Sequence, residues 1–157
     1  PTPAGWRWQT ERQPADSKRE QEWLKAGKLK PDDARFLPVG DGKPVALHSG
    51  TVRWNSFRKR WVMIACQIGG TSFLGEVWYS EADHPTGPFR RAVKVATHDR
   101  QSLYNVCHHA TLDRDGGRLV HFEGTYTKDF SGSPLRTARY DYNQLLYRLD
   151  LADERLA

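Results

Sequence analysis

The residues able to do chemistry in this chain are two glutamates, three histidines and a few amides and phenols, spaced along short strand-like segments. Glu123 sits in Phe122-Glu123-Gly124-Thr125-Tyr126, and Glu76 opens Glu76-Val77-Trp78-Tyr79. A carboxyl on a covered strand can serve as a general acid. Two of them across a sugar would make a glycosidase pair whose separation sets the stereochemistry. Plainer uses exist for both, Glu123 in orienting His108 and Glu76 in bonding to a neighbouring sheet. His108 and His109 are adjacent, so on a strand they point to opposite faces and make a poor chelating pair. One is expected to face a site and the other the core. Cys66 and Cys107 lie 41 residues apart with no CxxC spacing, which gives no zinc signature. Their strand positions suit buried free thiols, and a single disulfide is equally open.

Hairpins must position these groups. If Asp115-Gly116 is a two-residue turn, His108 stands opposite Glu123, with the side chains about 5 Å apart. A turn shifted by one residue sets Glu123 opposite Ala110 instead. The loop at residues 56–59 likewise brings His48 near Gln67. Glu76 and Asn143 begin the third strands, and antiparallel order returns those starts to the same end of each sheet. One rim is therefore expected to gather His48, Gln67, Glu76, His108, His109, Glu123, Tyr126 and Asn143. Tyr142 alternates with Tyr140 beside it and could stack on a sugar ring. Trp54, Trp61, Trp78 and Tyr79 read mainly as core aromatics.

The elements themselves follow from periodicity. Residues 1–14 read as an irregular arm holding Trp6 and Trp8. Ser17 and Glu20 match a capping box, which predicts a helix over residues 18–26 stopped by Gly27. Beyond Gly27 only strands are expected. Residues 36–39 and 44–47 flank Gly40-Asp41-Gly42-Lys43 as a hairpin. Segments 51–54, 60–67, 74–82 and 92–96 complete a set of four antiparallel strands, with a turn at residues 83–88. An internal repeat then stands out. His48-Ser49-Gly50-Thr51-Val52 parallels His108-His109-Ala110-Thr111-Leu112, residues 60–64 parallel 118–122, and residues 76–79 parallel 144–147. Such repeats suggest propeller blades. The fold expected is all-β, a partial β-propeller of about two four-stranded antiparallel blades (36–100 and 101–157) after a short helix-containing arm (1–35). A two-sheet sandwich reusing similar hairpins is the alternative. Propellers close with four to eight blades. Two blades would thus belong to a larger propeller, or cover their faces with the arm or with another copy.

Composition narrows the function classes. The chain has 157 residues, 24 Lys+Arg against 19 Asp+Glu, and a formal charge of +5. No apolar run approaches the ~18 residues of a membrane span. Aromatics at 11% argue against a disordered polymer. The basic excess falls in the first 60 residues, in a polar stretch and in the turn Ser56-Phe57-Arg58-Lys59-Arg60. That reads as a solvated face more than a nucleic-acid surface. The chain begins with Pro1 and its one methionine is Met63, so a cut or processed start is expected, and a secretion signal upstream would go unseen.

The strings HSGTVRWN, RWVMIA, LGEVWYSEADHPTGPF, YNVCHH, DRDGGR, FEGTYT and RYDYNQLLYRLDL resemble the C-terminal part of a group of bacterial glycoside-hydrolase-like proteins. More distantly they resemble the five-bladed propeller glycosidases of the arabinanase, β-xylosidase and invertase clan. The close resemblance spans residues 44–157. It implies a five-bladed propeller, a carbohydrate partner, a secreted or periplasmic setting, and a site at one mouth of the central channel. Clan enzymes carry carboxylates on the inner strands of separate blades; here His48 and His108-His109 stand at those positions, and the clan's aspartate base has no match. If the chain is catalytic, Glu123 would be the acid at a glycosidic bond, Glu76 a candidate partner carboxylate and the base unidentified, with His48, Gln67, His108, His109, Tyr126, Tyr142 and Asn143 binding substrate. The alternative is a non-catalytic carbohydrate-binding or assembly module on the same scaffold. No cofactor is called for, although a channel ion such as calcium is frequent in the clan. Lys or Arg near the rim would suit a sulfate or uronate group.

Overall fold

Strands buried on one or both faces build the first half of the molecule. The computed structural model describes residues 16–38 and 44–156. Strands β2 (Leu47–Asn55), β3 (Arg60–Gln67), β4 (Glu76–Ala82) and β5 (Phe89–Thr97) form an antiparallel meander. β1 (Phe36–Pro38) adds to β5 in parallel. β3 is apolar almost throughout because it lies mid-sheet with both faces covered. Val62, Ile64 and Cys66 enter one core with Val77 and Tyr79. Met63 and Ala65 enter a second, smaller one with Phe36, Phe89 and Ala92. That leaves Trp54 exposed, packed edge-on to Trp61 rather than in a core.

A second antiparallel sheet follows, in the order β6 (Ser102–His108), β7 (Leu119–Thr127), β8 (Tyr142–Asp150). β6 lies against β2, β3 and β4. Leu103, Val106, Val120 and Phe122 close on the first sheet's larger core, and each such side chain contributes about 2 kcal/mol. Polar contacts fasten the crossing: the Thr51 hydroxyl accepts from His108 N at 3.0 Å, and Arg53 Nε donates to the His108 carbonyl at 3.3 Å. The His48 and Tyr104 rings lie 6.1 Å apart, so β2 and β6 run side by side in one direction. Both cysteines are free. Cys66 faces the core, where burial pushes its thiol up to about 12, and Cys107 is half-buried.

The chain is all-β apart from α1 (Ser17–Lys25) and short 3-10 turns among the described residues. None of its helices is long and apolar enough to cross a membrane. The sheets hold five and three strands, where four and four were expected. In the expected first hairpin, β1 joins β5 and Leu47 faces Gln67. The turn at residues 40–43 and the arm at 1–14 lie outside the described residues. The helix cap also shifts by one: Asp16 Oδ1 accepts from Arg19 N at 2.8 Å, freeing Ser17 to donate to the Leu47 carbonyl. Glu20 leaves the capping box because Arg35 offers more, a backbone N–H at 2.7 Å and two guanidinium bonds at 3.1 Å. Gly27, at φ +67°, ends the helix where predicted.

The registers test the repeat strand by strand. Met63 faces Ser80, and His121 faces Arg148. Offsets of 58 and 68 residues therefore carry the first pair onto the second. The first strand behaves otherwise, since His48 lies near the start of β2 whereas His108 ends β6 and residues 110–112 turn away. Residues matched by those offsets, Val62 with Val120 and Ile64 with Phe122, all line the single core between the sheets. In a head-to-tail stack, matched residues would face the same way and so lie in different interfaces.

Candidate functional site

The expected rim divides into separate places. Glu123 stands opposite Cys107, and His108 opposite Phe122, one residue away from the expected pairing. The cause is the connection, which is no two-residue turn. Residues 110–112 and 115–117 form two 3-10 turns, with left-handed backbone at Asp115, Gly116 and Gly117. His108 is only 2% exposed, and its Nε2 lies 2.9 and 3.1 Å from the two Asp113 oxygens. It clasps β6 to this turn. His109 takes the other face, as alternation predicts, with Nε2 3.2 Å from Glu123 Oε1. That approach has ion-pair distance without hydrogen-bond alignment, leaving Nε2 buried and unsatisfied. Glu123 therefore serves His109 and not His108.

Glu76 lies in different surroundings. It opens β4 and is 3% exposed, with Lys94 Nζ from β5 2.8 Å from Oε2 and Thr71 N donating to Oε1 at 3.3 Å. Gly70, at φ +104°, closes over the carboxylate, and a Cβ there would lie 2.8 Å from Glu76 Cδ. Next along β4, Trp78 donates its indole N–H to Gln67 Oε1 at 2.7 Å, while Lys94 Nζ sits 5.2 Å from the indole ring centroid. Phe36 packs edge-on against the same ring. These groups line a cleft of about 510 Å³ that Gln21 and Lys25 of α1 overhang.

The remaining predicted residues do not join either place. His48 pairs with the Ser49 hydroxyl at 3.0 Å. Tyr126 packs on His98, whose Nε2 lies 3.3 Å from the Tyr147 hydroxyl. Burial holds the His98 imidazole below its ordinary range. Asn143 donates to the Tyr140 carbonyl at 2.5 Å and to the Thr137 hydroxyl at 3.1 Å, closing the loop before β8. Tyr142 is exposed. Of the nine expected site residues, Gln67 and Glu76 meet in the cleft, and His109 and Glu123 meet on the second sheet.

Sequence reasoning missed Lys94 and the cleft role of Trp78. The signal for Lys94 was present: it is the lone charge in Ala92-Val93-Lys94-Val95-Ala96, and a cation inside such a strand implies a partner. The contacts of the two carboxylates do not overlap: Glu76 meets Lys94 and Thr71, and Glu123 meets His109. The cleft instead presents an amide, an ammonium and a carboxylate around an indole, a set suited to hydroxyl groups. Among the described residues no three His, Cys, Asp or Glu side chains gather to hold a metal ion. No protein-family model, curated protein or solved structure matches the chain.

Proposed function

We propose that this chain is a carbohydrate-directed protein of glycoside-hydrolase-like character, which holds a sugar in the cleft beside Glu76 and Trp78 without cleaving it. The observation that carries this is the pairing of buried Glu76 with the exposed Lys94 ammonium beside the Trp78 indole, in a cleft of about 510 Å³. Lys94 pairs with Glu76 at 2.8 Å, and a carboxylate so paired offers acceptors to sugar hydroxyls. Glu123 lies beside His109, and among the described residues no second carboxylate contact accompanies it, which favours binding over hydrolysis. The secreted or periplasmic setting belongs to the same proposal.

The blade arrangement is proposed with it, and the side-by-side course of β2 and β6 supports it. Matched residues sharing one core favour the sandwich as a second reading. A stack would need the true match between sheets to be displaced by an odd number of residues. Either scaffold leaves the cleft intact, since its strands all belong to the first sheet.

Binding to a glycan array tests the function. Retention of at least one glycan class is expected, with Glu76→Gln and Lys94→Met weakening it about tenfold or more and Glu123→Gln leaving it unchanged. No reducing ends should appear on incubation with the bound glycan. Release of reducing ends that Glu123→Gln abolishes would restore the hydrolase and move the site to the second sheet.

A further inference from the structure

The second sheet stops one position short of the first. In the first sheet β5 covers the outer edge of β4, but no strand among the described residues covers β8. All nine β8 residues pair with β7 without a bulge, so the other side of β8 is a straight backbone edge about 30 Å long. Edges of that length are normally blunted by lysine, proline, bulges or a covering element. β5 shows such devices: two register shifts, left-handed backbone at Arg91, and β1 laid along it. β8 has none of them. It reads Tyr-Asn-Gln-Leu-Leu-Tyr-Arg-Leu-Asp, uncharged through its middle, and Leu146 is 57% exposed.

We propose that a second copy of this chain pairs its β8 antiparallel to this one, about a two-fold axis at Leu146. The strand is complementary to itself in that register. Leu146 faces its counterpart, Gln144 faces Arg148, and Tyr142 faces Asp150, whose charge Arg118 already neutralises at 2.7 Å. On the inner face Leu145 meets Tyr147, and Asn143 meets Leu149. No like charges oppose one another, whereas an axis at Arg148 would set two guanidiniums directly opposite. The two three-stranded sheets become one six-stranded sheet in which both β8 edges are paired.

Sedimentation equilibrium of the whole chain over a wide concentration range tests this. A reversible dimer is expected, and Leu146→Lys, which sets two ammonium groups face to face, should weaken it about tenfold or more with the circular dichroism unchanged. Crosslinking keeps the test independent of that variant's folding. In a Cys107→Ser background, Leu146→Cys should form a disulfide dimer on mild oxidation, while Tyr142→Cys, which faces Asp150, should not. A monomer at every concentration overturns the proposal. So does a dimer that crosslinks through position 142 and not through 146.

Discussion

The two sheets treat their carboxylates differently, and the difference follows from how many layers cover each. In the first sheet Gly70 closes over Glu76, leaving it 3% exposed, and Lys94 supplies a cation at 2.8 Å. On the second sheet the outer face is uncovered, and Glu123, 30% exposed at its side chain, can share its charge between His109 and water. Enclosure makes a cleft with oriented donors and acceptors. Exposure makes an adaptable surface pair.

That contrast can be broken at several strengths. The largest effect should come from removing the layer between the sheets: Phe122→Ala empties a site in the shared core and should cost about 3–4 kcal/mol in chemical denaturation. A loss below about 1 kcal/mol would mean that the sheets do not depend on each other. Next is the comparison of the carboxylates' partners. Lys94→Met leaves Glu76 buried and unpaired and should destabilise by about 2 kcal/mol, whereas Glu123→Gln should change stability by less than about 1 kcal/mol. Equal losses would erase the distinction.

The smallest effect is a pH dependence at the seam between the sheets. Burial favours neutral His98 in the folded chain, whereas the unfolded imidazole titrates near its usual ~6.5. The unfolded chain then binds the proton more readily. Stability should be full above that value and decline as pH falls below it, levelling once the folded state also protonates. The groups facing His98 are the rings of Tyr126 and Tyr147, with Asp99 adjacent in sequence. His98→Gln should flatten the decline in melts between pH 7 and pH 5, and an unchanged slope would assign it to another group.

Much of the fold was legible because strand composition is local. β3 emerges from a near-continuous apolar run, as a strand covered on both faces does, and the offsets of 58 and 68 carry the register of β3 with β4 onto that of β7 with β8. The site was less legible because it rests on what local pattern does not encode. Asp115-Gly116 carries a hairpin signal, but Gly117 follows it and permits a third left-handed residue, so two 3-10 turns displace Glu123 by one pairing. The parallel seat of β1 depends on Phe36 finding Phe89 across some fifty residues. Asp16 and Ser17 are both good caps, and the choice between them depends on the Leu47 carbonyl from a distant strand.

Whether the first-sheet cleft holds the ligand is decided by titrating a bound glycan into isotopically labelled protein while following side-chain N–H signals. The account predicts that the Trp78 indole and Gln67 amide resonances shift together and saturably, with the His109 ring signals unmoved. Shifts confined to His109 and the residues around Glu123 would contradict it.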